Sequence, residues 1–207
     1  IELGRRAIET AGRLSDLSKE LGVSAQFLQE MGFAAEMSGA SLDDVKSGLQ
    51  KIQIARSKAL GGNDEMVASF EKLGISAEQL KSSRVEDIFV QIGKAFEGEA
   101  NPEALIAAFT QIAGKGAGSL IPAMATGLAD AAAQAHNLGV IMNDEVVSSL
   151  DDAGDKIDQF NKQMETGIGR LMANVLIPAI EYYNAFAAGL QGFFGAMAGS
   201  GRAQFDP

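Results

Sequence analysis

The sequence predicts an all-α fold: an array of short helical hairpins followed by a long C-terminal helix. Three observations support this prediction. Apolar residues recur every three or four positions along nearly the whole chain. Glycine, serine and asparagine stand where capping residues end one helix and begin the next. No stretch alternates apolar and polar residues with the β-branched enrichment of a strand.

The first half of the array is defined by its caps. The first helix ends at Gly22, and Ser24 begins the second. Ser41 begins the third helix, which carries acidic residues in its first turn and basic residues in its last, as the helix dipole favours. A break at residues 61–64 then separates the third helix from a short amphipathic turn around Phe70.

The second half of the array follows the same rules. Ser76 and Gln79 form a predicted capping box. Another helix begins near Val85. Asn101 is a predicted N-cap, followed by Pro102 at the first helical position, where no backbone N–H is needed. Helices of about 10–15 residues are unstable alone in water, so they must pack together. We therefore expect residues 1–139 to form one helical array.

A different pattern begins after Asn143. One apolar stripe continues to Met197 without a cluster of turn residues. It predicts a helix within residues 140–201, about 80 Å long at about 1.5 Å per residue. Pro178 predicts a kink or a break near Asn174. Residues 202–207 are interpreted as the tail of a fragment, because neither end of the chain resembles a natural terminus.

Two parts of this helix are candidate interaction surfaces. The first is a self-association seam, formed by Leu150, Ile157, Phe160, Met164, Leu171 and Val175. The second is a ridge of small residues with two aromatic neighbours, formed by Gly189, Gly192, Gly195, Gly199, Phe193 and Phe194. The ridge lies in the uncharged segment 182–201, which is long enough to cross a hydrocarbon core. Asn184 and Gln191 weaken its apolar character, so we expect a buried seam, with conditional membrane insertion as the alternative.

Composition argues against most enzymes. The chain has no cysteine and one histidine, which removes disulfides, cysteine zinc sites, thiol nucleophiles and histidine pairs. Seventeen basic and 27 acidic residues give a net charge of −10, which disfavours binding to nucleic acid or to an anionic membrane. We therefore expect no catalytic, cofactor-binding or metal-binding residues, no cofactor and no specific nucleic-acid binding.

Three remaining motifs have structural interpretations. The segment 114–119 resembles a phosphate-binding loop, but Gly116 follows Lys115 where a serine or threonine is required, so a flexible connector is favoured. The cluster of Asp151, Asp152 and Asp155 lacks the spacing of a metal site and is interpreted as a solvated helix face. His136 has no sequence partner for proton transfer and is expected at a helix end on the surface.

The order of these segments resembles tail tape-measure proteins of long-tailed bacteriophages. The resemblance rests on residues 109–124, on 135–142 with the acidic helix that follows, on 168–180 and on the upstream segment 73–80. Together they place the similarity over about residues 10–185, so the chain would be an internal fragment of such a protein. Gly118 and Ser119 depart from the family pattern, which often has a charged residue and an aliphatic one there.

The resemblance implies a structural protein rather than an enzyme. Such a protein sets tail length by its extended helical span, occupies the lumen of the tail tube and is ejected ahead of the DNA, with a role in genome passage through the host membrane. The implied partners are further copies of the chain, with a trimer favoured, tail tube and tail tip proteins, tail assembly chaperones and the host inner membrane. The implied locations are the tail lumen of the virion and the host cytoplasm during assembly. The alternative is a membrane-active, pore-forming helical protein that shields segment 182–201.

Overall fold

The structure is a computed structural model that describes residues 2–171, with the side chains of residues 5–163. The all-α prediction is confirmed, since the described residues form helices and no strand. The α-helices are α1 (Glu2–Leu21), α2 (Ala25–Met37), α3 (Leu42–Leu60), α4 (Asp64–Lys72), α5 (Ala77–Ser82), α6 (Val85–Phe96), α7 (Glu103–Ala113), α8 (Ile121–Thr126), α9 (Leu128–Asn137) and α10 (Asp144–Leu171). A 3₁₀ helix (Lys115–Leu120) joins α7 to α8.

The predicted serine caps are confirmed. The Ser24 hydroxyl accepts a hydrogen bond from a backbone N–H in the first turn of α2. At α3, the Asp44 N–H donates to the Ser41 hydroxyl and the Ser41 N–H donates to the Asp44 carboxylate. Ser76 and Gln79 form the same reciprocal pair at α5. Each pair satisfies backbone donors that have no partner inside the helix.

The start of α7 differs from the prediction by one residue. Pro102, rather than Asn101, occupies the N-cap position, and α7 begins at Glu103. Proline has no side-chain acceptor, so no side chain caps this helix. The Asn101 N–H instead donates to Oε1 of Glu99, 2.9 Å away.

The core is built around α3 and the aromatic residues of the neighbouring helices. Leu49 and Ile52 of α3 are fully buried. Phe27 of α2 meets Phe89 of α6 edge to face, with ring centroids 6.0 Å apart. A similar contact joins Phe96 of α6 to Phe109 of α7 at 5.9 Å. These pairs fix α6 against helices on both sides of it.

The chain divides into two compact units, Ile1–Gly154 and Asp155–Pro207. The first unit extends past residue 139, because the start of α10 packs on the same core. Val147 is 2% exposed, and Leu150 packs partly buried against the core. The second unit is described only to Leu171, the last described residue of α10. Val175, Pro178 and segment 182–201 lie outside the described residues.

None of the helices within residues 2–171 has the length and apolar character needed to span a membrane.

Candidate functional site

One side of α10 is held against α1 and α2 by polar contacts. Oδ2 of Asp151 accepts a hydrogen bond from the Ser15 hydroxyl at 2.6 Å and lies 3.2 Å from Nζ of Lys19. Oδ1 of Asp144 accepts from the backbone N–H of Gln26 at 2.8 Å. These contacts hold the start of α10 within the first compact unit.

Asp151 therefore departs from the prediction of a solvated acidic face. Asp152 and Asp155 are exposed, but the side chain of Asp151 is only 20% exposed. The hydrogen bond from Ser15 lowers the pKa of Asp151, and burial opposes this effect. Lys19 lowers the pKa further through its hydrogen bond and its charge.

The connector before α10 is also fixed by side chains. The Gln29 amide donates to the carbonyl oxygen of Met142 at 2.8 Å and accepts from the Met142 N–H at 2.9 Å. His136 lies at the end of α9 and is partly exposed, as predicted. The sequence did not reveal its partner: Nε2 of His136 is 2.7 Å from Oε1 of Glu30 on α2.

A second side of α10 carries exposed apolar residues of the predicted seam. Ile157 is 48% exposed and Phe160 is 59% exposed. With about 100° of rotation per residue, Leu150, Ile157 and Phe160 fall within about 80° of one another. On the same helical wheel, their mean direction is about 100° from that of Val147, Asp151 and Gly154, which belong to the first compact unit. We call this surface, Leu150–Ile157–Phe160 with its continuation along the helix, the α10 apolar face.

The described residues cover only part of the predicted seam. Leu150 packs partly against the core of its own chain, so it is not a free surface residue. Met164 and Leu171 lie on the α10 backbone in the same register. Val175, Pro178 and the whole small-residue ridge at Gly189, Gly192, Gly195, Gly199, Phe193 and Phe194 lie outside the described residues.

The phosphate-loop-like segment connects α7 to α8, as predicted, and residues Lys115–Leu120 of this connection form a 3₁₀ helix. It follows α7 and borders an open cleft of about 420 Å³, lined in part by Lys51, Lys58 and Glu65. A methyl group on Gly114 would lie 3.3 Å from Nζ of Lys51. Oε1 of Glu65 accepts from the Gln111 amide at 2.6 Å, which places a carboxylate in the same cleft.

Sequence reasoning missed the contacts of Ser15 and Glu86. Ser15 is 7% exposed and lies four residues after buried Ala11, on nearly the same face of α1. A small polar residue in an apolar stripe could have indicated a tertiary hydrogen bond. Glu86 is 6% exposed and accepts from the Ser24 N–H at 2.6 Å, 62 positions away in sequence, which no local pattern indicates.

The described part of the chain contains no cluster of three or more histidine, aspartate or glutamate residues that could hold a metal ion. Comparison of the chain with protein-family models, with curated proteins and with solved structures finds no match.

Proposed function

We propose that this chain is a structural, self-associating segment of a phage tail tape-measure protein. The observation that carries the proposal is the α10 apolar face, on which Ile157 and Phe160 are about half exposed on a long helix. The order of sequence segments that resembles the tape-measure family supports the same function. In this function the helix supplies length, and copies of the chain lie side by side in the lumen of the tail tube.

The spacing of the face supports association between copies of α10. Leu150, Ile157, Met164 and Leu171 are seven residues apart, so they occupy one heptad position. Phe160 occupies the second apolar position of its heptad. Strict seven-residue spacing favours left-handed supercoiling of neighbouring helices. A second copy of the chain is therefore the partner that fits this face.

The flanks of the face also suit a parallel assembly. Lys156, Asn161 and Gln163 occupy the positions beside the apolar pair around Ile157 and Phe160. In a parallel arrangement these positions of neighbouring copies face each other, and Lys156 faces Asn161 rather than another lysine. No pair of like charges at these positions opposes the approach of the two helices.

Self-association of the full chain tests this proposal. We expect Ile157→Lys to lower the association measured by sedimentation equilibrium at least tenfold, because a charge would have to be buried in the seam. Ile54→Lys is the matched control, since Ile54 is an isoleucine of similar exposure, 57%, on a different helix, α3. Equal loss in both variants, or a wild-type chain that stays monomeric at high concentration, would reject the seam.

A second candidate function is supported by segment 182–201, which contains no charged residue. Such a segment suits a membrane-active protein that shields it until release. Dye-loaded liposomes distinguish the two functions. Leakage caused by the full chain, and abolished in a chain that ends at residue 181, would favour the membrane-active function, whereas intact liposomes would leave the tape-measure proposal.

A further inference from the structure

The heptad register of the α10 apolar face begins inside the first compact unit. Leu150 packs partly against the core of its own chain, whereas Ile157 and Phe160, one heptad further on, are exposed. Leu150 is half-buried, so the part of its side chain that packs on its own core is not available to a seam with another chain. The N-terminal end of the predicted seam is therefore partly occupied by an intramolecular contact.

Polar contacts surround the one fully buried side chain at this end of α10. Val147 is the only buried side chain among the described residues of α10. Around it, Asp151 contacts Ser15 and Lys19, and Asp144 accepts from the Gln26 N–H. Helices buried in the core, such as α3, instead dock through several fully buried aliphatic side chains. A partly exposed polar contact of this type contributes less to the free energy of docking than a buried apolar surface does.

The fit between α1 and α10 is nonetheless specific. A methyl group on Gly154 would lie 2.8 Å from Cγ2 of Ile8, so the two helices approach closely at this point. The Ser15 hydroxyl is 7% exposed and donates directly to the Asp151 carboxylate. A close approach combined with a charge-assisted hydrogen bond defines one docked position of the helix.

We infer that the contact of Asp151 with Ser15 and Lys19 limits self-association of the chain. We call this autoinhibitory contact the clasp. The clasp keeps Leu150 on its own core and limits the seam to the part of α10 from Ile157 onward. When it opens, the first turns of α10 leave α1, and Leu150 joins the seam with a second copy. This inference rests on the proposed self-association of α10 and describes how that association is controlled.

Substitutions in the clasp test this inference in the full chain. We expect Asp151→Asn and Ser15→Ala to strengthen self-association about tenfold. Each substitution removes one charge-assisted hydrogen bond that stabilises the form in which α10 is docked on α1. Asp152→Asn is the matched control, because Asp152 is exposed and its substitution makes the same change in charge. Sedimentation equilibrium measures the association. Amide hydrogen exchange over residues 144–154 should become faster in the two clasp variants only.

The outcomes separate failure of the clasp from failure of the proposed function. If Ile157→Lys abolishes association but Asp151→Asn leaves it unchanged or weakens it, the seam stands and the clasp is rejected. If the wild-type chain and every variant remain monomeric, both ideas are rejected. Unchanged hydrogen exchange in α3 shows that a clasp variant is folded. Association that strengthens in the clasp variants without faster exchange over residues 144–154 would also reject the clasp.

Discussion

At the scale of single residues, the buried carboxylate of Glu86 joins two elements that are distant in sequence. It accepts a hydrogen bond from the Ser24 N–H at 2.6 Å and forms an ion pair with Nη1 of Arg84 at 2.8 Å. We expect Glu86→Ala to lower the free energy of unfolding by about 1–3 kcal/mol, because a partly buried N–H at the start of α2 would lose its acceptor. Urea denaturation measures this change. Glu71→Ala, at an exposed position of α4, is the control and should have little effect; equal losses would contradict this role of Glu86.

The lowered pKa of Asp151 predicts an acid-sensitive contact. The Ser15 hydrogen bond, followed by Lys19, favours the ionised carboxylate in the folded chain. Its contribution to stability is therefore fully present above the ordinary aspartate pKa of 3.8 and is lost as the pH falls through the lowered value. The stability difference between the wild-type chain and Asp151→Asn should be constant near neutral pH and shrink in acid. The stability difference between the wild-type chain and Asp152→Asn should not change with pH in this way. A difference for Asp151→Asn that grew in acid would contradict the predicted direction of the pH dependence.

At the scale of elements, Gly93 sets the distance between α6 and the start of α9. A methyl group at this position would lie 2.5 Å from Cδ1 and 3.1 Å from Cγ of Leu128. We expect Gly93→Ala to lower the free energy of unfolding by about 1–3 kcal/mol, because Leu128 must move within a packed core. Gly118→Ala is the control, since the added methyl would lie within 4 Å of no atom outside the local backbone and its φ is not positive. Thermal unfolding distinguishes them, and equal stability of the two variants would show that Leu128 moves at little cost.

Elements were predictable where their determinants are local. Ser24, Ser41 and Ser76 cap their helices through residues only three positions away, so the sequence alone locates those helix starts. The docking of α10 was not predictable in the same way. The Ser15–Asp151 hydrogen bond joins residues 136 positions apart, and which acidic residue of the helix finds a partner depends on how α1 and α10 cross. Because the sequence does not show how these helices cross, it predicts a solvated Asp151.

At the scale of the whole molecule, charge and helical content point to the same role. A net charge of −10 gives the chain a repulsive field toward DNA phosphates, so close passage of a genome would not trap it. A long helix also gives a fixed length per residue, which an irregular chain does not. Both properties support the proposed tape-measure function.

The tape-measure proposal therefore predicts a linear relation between helix length and tail length. Helix α10 contains 28 residues, a whole number of heptads, so its duplication directly after Leu171 keeps the register of the seam. If the proposal holds, the duplication should lengthen the tail of the virion that contains this protein by about 42 Å at about 1.5 Å per residue, measured by electron microscopy. A flexible insertion of equal length between α6 and α7 is the control and should not add a fixed increment, because an irregular chain has no constant rise. Tails of unchanged length after duplication of α10 would show that the chain does not set tail length and would leave only the proposed self-association of the helix.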